Sequence, residues 1–102
     1  MKNILIIGCG LLGSSLLRKI YKKKIAKNTF VYEKSKKNIK KFKRLKLPGT
    51  IVKKIGDAVS KSDLIILCTP TSEYKKIILN INKYLTPKQI ITDVGSSKLK
   101  SS

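Results

Sequence analysis

Histidine and tryptophan are both missing from this 102-residue chain, and acidic residues are scarce: five Asp and Glu stand against 24 Lys and Arg, a formal net charge of +19 at pH 7. Without an imidazole, general base catalysis through histidine is unavailable to these residues. The two cysteines, Cys9 and Cys68, offer neither a disulfide framework nor metal-ligand spacing, so no metal site is expected. No stretch approaches the roughly 20 apolar residues of a membrane span. The apolar run before Cys9 is five residues, shorter than the roughly 7 to 15 of a secretory signal, which predicts a cytoplasmic protein with no membrane partner.

The charge imbalance invites a polyanion partner. All but two of the basic residues, Arg18 and Arg44, are lysine, and the chain is also rich in Ile and Asn, as an AT-rich genome would encode. Aromatic residues do not interleave with the lysines as a base-stacking platform requires. The expectation is therefore no specific nucleic-acid partner, but a salt-dependent attraction for anions in general.

What is present begins at the N-terminus. Ile4-Leu5-Ile6-Ile7 runs into Gly8-Cys9-Gly10-Leu11-Leu12-Gly13, a short buried strand meeting a GxGxxG turn that opens a helix. In such a turn Gly8 permits the tight bend, Gly10 lets the backbone approach a pyrophosphate, and Gly13 lets the helix pack closely on the strand. The free N–H groups at the helix N-terminus then hold the negative charge. An apolar helical stretch follows (Leu16, Leu17, Ile20, with Tyr21), and a second strand, Thr29 to Tyr32, ends at Glu33, twenty positions after Gly13. That is close to the spacing at which a carboxylate receives the ribose hydroxyls of an adenosine half.

Further along, Ile39, Phe42 and Leu45 recur at three-residue spacing among lysines and predict a helix over Ser35 to Leu47, closed by Pro48-Gly49. Thr50 to Val52 reads as a third strand, Gly56 to Ser62 as a brief helical turn, and Asp63 to Cys68 as a strand buried on both faces. Thr69-Pro70-Thr71-Ser72 supplies cap candidates for a helix carrying Tyr74, Ile77, Ile78, Ile81 and Leu85, with Glu73 suiting its dipole. Thr86-Pro87 closes that helix, and Ile90 to Val94 is a fifth strand. The rhythm predicts an α/β, Rossmann-type doubly wound parallel sheet of about five strands in the order 3-2-1-4-5, with ligand loops at the C-terminal strand ends. At this length the chain is one small domain, residues 1–102, that buries roughly 60 to 70 percent of its unfolded surface.

Taken together, Gly8 to Leu16, Val31-Tyr32-Glu33-Lys34-Ser35, the strand ending Cys68-Thr69-Pro70, and Thr92-Asp93-Val94-Gly95-Ser96-Ser97-Lys98 occur in an order and spacing that resembles the prephenate and arogenate dehydrogenases. The last block is the discriminating one. The resemblance implies a nucleotide domain followed by a mostly helical substrate and dimerisation domain. It implies oxidation of prephenate with NAD, or of arogenate more often with NADP, decarboxylation accompanying hydride transfer on the way to tyrosine. Carried over, Gly8, Cys9, Gly10, Leu11, Leu12 and Gly13 cradle the pyrophosphate, Glu33 takes the ribose, and Thr69 with Pro70 lines the groove. Ser96 orients the substrate hydroxyl as a catalytic residue, and Lys98 is a lesser candidate for meeting an anionic group. The family's catalytic histidine, substrate arginines and dimer domain lie beyond the last matching block, so the expectation is a nucleotide domain incomplete at its C-terminus that binds cofactor without catalysis alone.

A carboxylate at Glu33 favours the free 2′-hydroxyl of NAD over the 2′-phosphate of NADP, and the following Lys34, Lys36 and Lys37 soften that preference. The resemblance adds a small anionic substrate and a homodimer for the complete enzyme. The fifth strand, lacking a neighbour, is expected to favour self-association. Cys9 and Cys68, ending strands 1 and 4, are read as packing residues, with a redox switch as the alternative. Two other functions stay open: another NAD(P)-dependent reductase of the 3-hydroxyacid dehydrogenase type, and a non-catalytic NAD-binding module.

Overall fold

Residues 3–8, 11–69 and 71–93 are described in the computed structural model. Strands β1 (Asn3–Ile7), β2 (Asn28–Tyr32), β3 (Thr50–Ile51), β4 (Leu64–Leu67) and β5 (Ile90–Asp93) alternate with helices α1 (Leu11–Lys23), α2 (Lys36–Arg44), α3 (Ile55–Lys61) and α4 (Thr71–Ile81), the last extended by a 3₁₀ turn, Asn82–Tyr84. All pairs are parallel and the order is β3-β2-β1-β4-β5. The predicted Rossmann-type topology is the one observed.

The two-faced burial follows from chain direction. From β1 the chain steps outward through β2 to β3, then returns to β4 on the other side of β1. Right-handed crossovers therefore put α1 and α2 on one face, α3 and α4 on the other. Alternate residues of the central strands feed two cores: Ile4, Ile6, Val31 and Ile66 pack with Leu17, Ile20, Phe42 and Leu47, while Leu5, Ile7, Ile65 and Leu67 pack with Ala58, Val59, Ile77 and Ile81. β1 is apolar throughout after Asn3 because both of its faces are covered. Each fully buried side chain of this kind contributes about 1.5–3 kcal/mol.

Several boundaries differ from expectation for local reasons. α2 ends at Arg44 because Lys46 adopts a left-handed conformation, φ 50°. The N–H of Leu47 then donates to Phe42 O (3.3 Å) and that of Lys46 to Lys43 O (3.2 Å), a Schellman closure. Leu47 turns into the core, and Leu45, expected on the apolar stripe, is 49% exposed. α1 closes identically, with Lys24 at φ 52° and Ile25 N–H donating to Ile20 O at 3.1 Å. Tyr21 is 69% exposed beside that closure, and Ile78 of α4 is 40% exposed, so neither belongs to the core stripe of its helix.

At the N-terminal ends of the strands, Asn3 accepts from Asp63 N–H through its carbonyl (2.8 Å), donates from its own N–H to Asp63 Oδ2 (3.1 Å), and receives Asn28 Nδ2 on its side-chain oxygen (3.0 Å). Gln89 closes the same end: its amide nitrogen donates to the carbonyls of Val59 and Ser62, and its oxygen accepts from Thr86 N–H. Three carbonyls of the last turn of α3 thus have partners: Val59 O from Gln89, Ala58 O from Ser62 Oγ at 2.6 Å, and Lys61 O from Asn3 Nδ2 at 2.8 Å. β5 is an edge strand, with Ile90 54% exposed. Among the described residues no helix is long and apolar enough to cross a membrane.

Candidate functional site

β1 and β4 are neighbours whose outgoing loops leave toward opposite faces, and a crevice opens between them at their C-terminal ends. Gly8 follows β1 directly. Its φ of +91° is a conformation that side chains resist, and its N–H donates to Tyr32 O at 2.8 Å. Two close approaches shape this turn. A Cβ on Gly8 would stand 2.5 Å from Thr69 Cγ2, and one on Gly13 would stand 2.7 Å from the carbonyl oxygen of Gly8. The start of α1 is thus pressed onto the end of β1, as the glycine pattern predicts.

Leu11 and Leu12 open α1, whose first turn carries no acidic residue to compete for its free N–H groups and partial positive charge. Cys9, Gly10, Pro70, Ser96 and Lys98 lie outside the described residues. Cys68 packs against the core under α1, with its Cβ 3.7 Å from where a Gly13 Cβ would stand, and is a packing residue there.

A cleft of about 430 Å³ sits over these strand ends. Gly8 forms its floor with Ile7. Tyr32, Glu33 and Lys34 form the β2 wall, and Thr69, Glu73, Lys76 and Ile77 the opposite wall from β4 and α4. Glu33 is half-buried, and one carboxylate oxygen accepts from the N–H of Ser35 at 3.0 Å. Ser35 is the cap residue of α2, so the helix start fixes this carboxylate beyond the end of β2. A second hollow, about 490 Å³, shares Tyr32, Glu33 and Lys34 and extends toward Lys43 and Lys53.

Thr69 carries a further signal. Its hydroxyl oxygen is buried with no hydrogen-bond partner among the described residues, and it lines the cleft. A buried hydroxyl without a partner carries a desolvation cost that a ligand's polar group would relieve. Together with the glycine-lined floor and the held carboxylate, this is a set of donors and acceptors suited to a dinucleotide. A larger hollow, about 780 Å³, lies at the opposite end of the sheet between the end of α1 and the starts of β2 and β3, away from all of these groups.

The structure thus places Gly8, Glu33 and Thr69 on one cleft, with Gly13 packed against Gly8. Glu73 and Lys76 are additions. Glu73 has an obvious sequence role at the start of α4, and nothing local reveals that this helix start also walls the cleft. Among the described residues there is no group of three metal-ligating side chains.

Fold and site together define an α/β domain of the Rossmann type. Residues 3–97 match the family model described as NADP oxidoreductase, coenzyme F420-dependent, and the chain belongs to that family. It is 34% identical over 100 residues to the cyclohexadienyl dehydrogenase of Zymomonas mobilis, covering 96% of this chain and 33% of that enzyme. A prephenate dehydrogenase from A. aeolicus, solved with hydroxyphenyl propionate and NAD+, superposes with a TM-score of 0.79 at 21% identity, covering 91% of this chain and 33% of that one. A 3-hydroxyisobutyrate dehydrogenase from Mycobacterium tuberculosis superposes with a TM-score of 0.75 at 16% identity, covering 91% of this chain and 31% of that one. The resemblance read from the sequence is borne out by the identity to the cyclohexadienyl dehydrogenase. The two solved structures show the fold, which is common to more than one class of dehydrogenase. The chain spans about a third of the length of these relatives.

Proposed function

We propose that this chain is the nicotinamide-dinucleotide-binding part of a prephenate or arogenate dehydrogenase, an oxidoreductase of tyrosine biosynthesis that prefers NAD and also accepts NADP. The observation that carries the reading is the convergence on one cleft of the Gly8 turn, the Glu33 carboxylate and the Thr69 hydroxyl, buried without a partner among the described residues. The choice of this dehydrogenase class over a 3-hydroxyacid type is supported by the sequence identity to a cyclohexadienyl dehydrogenase and by the Asp93 to Lys98 block.

In this reading the backbone of Gly8 to Gly13, including Cys9, Gly10, Leu11 and Leu12, receives the pyrophosphate at the start of α1. Glu33 accepts hydrogen bonds from the ribose hydroxyls, and Thr69 and Pro70 line the groove. Ser96 orients the hydroxyl of a small anionic substrate. When bound, the nicotinamide accepts a hydride; the residues named here bind and orient. The proton acceptor, the substrate-binding domain and the homodimer interface are assigned to parts of the whole enzyme that these 102 residues do not match, and its working place is the cytoplasm.

An equilibrium titration of the chain with NADH and with NADPH, each at low and high salt, tests the proposal. The expected result is saturable binding with an NADH preference that survives added salt. Weak attraction, equal for both and abolished by salt, would reduce the cleft to a consequence of lysine content.

A further inference from the structure

The five acidic residues of this chain are not spread evenly. Two of them, Glu33 and Glu73, line the same cleft, where the basic residues among the described lining are Lys34 and Lys76. In a chain of net charge +19, the described lining of this concavity therefore carries balanced charge. Glu33 comes from the end of β2 and Glu73 from the first turn of α4, so a ligand between the walls meets a carboxylate from each side. Both side chains are half-buried. Partial burial weakens the screening that would otherwise mute their charge.

We infer that Glu73 is a second specificity-determining carboxylate, which with Glu33 selects a dinucleotide bearing a free ribose 2′-hydroxyl over one bearing a 2′-phosphate. The inference rests on the cofactor reading above and deepens it. A neutral ribose gains acceptors from two walls. A 2′-phosphate, nearly dianionic at neutral pH, meets repulsion from both, softened by Lys34 and Lys76 of the same cleft, and the lysines of the adjoining hollow, Lys43 and Lys53, lie on the far side of Glu33 from α4. Glu73 thus does from the helix wall what Glu33 does from the strand wall. It contacts the nucleotide and takes no part in proton transfer.

The test measures dissociation constants for NADH and NADPH with Glu73→Gln, Glu73→Asp, Glu33→Gln and the Glu33→Gln/Glu73→Gln pair. Asp57→Asn, on α3 outside the cleft, controls for net charge. Removing the Glu73 charge is expected to narrow the NADH-to-NADPH affinity ratio about 3- to 10-fold, a difference that largely persists as salt is raised because the carboxylates are half-buried. Glu73→Asp should hold the wild-type ratio within about twofold, since the charge is kept. The inference is overturned if Glu73→Gln leaves the ratio unchanged, if Asp57→Asn shifts it equally, or if the wild-type chain binds NADPH as tightly as NADH. Absence of saturable binding by either nucleotide is a different result and would sink the cofactor reading itself.

Discussion

Gly13 lies directly against the carbonyl of Gly8: a Cβ at position 13 would stand 2.7 Å from that oxygen. The obstacle is backbone, which cannot swing aside as a side chain could. Gly13→Ala should therefore push the start of α1 off the end of β1 and destabilise the fold by about 1–3 kcal/mol. Urea unfolding checks the stability, and the same displacement should weaken NADH binding at least about tenfold, since helix N–H groups act on an anion only at close range. An alanine variant as stable as the parent would show that α1 has room to move.

Thr69 offers the opposite experiment. Its buried hydroxyl has no partner among the described residues, so Thr69→Val removes a desolvated group while keeping the branched shape that packs on Gly8. The variant should be as stable as the parent or more stable by up to about 1 kcal/mol. NADH affinity should fall about 2- to 10-fold if the hydroxyl serves the ligand. Thermal unfolding with and without nucleotide separates the two effects; lost stability with unchanged affinity would assign the hydroxyl to the fold.

Lys24 and Lys46 both hold left-handed conformations at helix ends, where glycine is the usual occupant. A side chain in that region costs about 1–2 kcal/mol, partly offset by glycine's greater freedom when unfolded. Lys24→Gly and Lys46→Gly should each stabilise by about 0.5–1 kcal/mol, raising Tm by about 2–8 °C. The two sites close different helices, so the double variant should show close to the sum. Calorimetry of the three variants decides.

Gln89 holds three backbone groups with one side chain. In Gln89→Ala the Ser62 carbonyl loses this donor, while Val59 O keeps the N–H of Ser62 at 3.2 Å. The expected loss is about 1–3 kcal/mol. Hydrogen exchange should show it first at the N–H of Ile90, which donates to Asp63 O at 3.1 Å beside the anchor. Unaltered protection there would mean that strand pairing alone fixes β5.

Much of this fold was legible because its strongest signals are local. Ile4 to Ile7 and Leu64 to Leu67 are apolar on both alternating faces, which only a covered central strand explains, and Gly8 with Gly13 announces the turn from β1 into α1. Other features depend on long-range placement. Lysine carries no turn signal, so the Lys46 closure was invisible, and with it the exposure of Leu45 and the burial of Leu47. The site divides the same way. Gly8, Gly13 and Glu33 belong to a spaced pattern, whereas Glu73 and Lys76 join the cleft only because α4 packs on the face that brings its start over β1 and β2. The task of Gln89 likewise exists only once α3 and β5 are neighbours.

The gathering of two carboxylates in one cleft of a strongly basic chain separates arrival from residence. A field summed over 24 cationic side chains draws any polyanion from a distance, and encounter rates under such a field fall steeply as salt rises. Dissociation is governed instead by the short-range contacts of the cleft, where charge is balanced. Salt should therefore slow the capture of a dinucleotide while leaving its lifetime on the protein nearly constant, and the choice between ligands should be exercised after encounter, in how long each one stays.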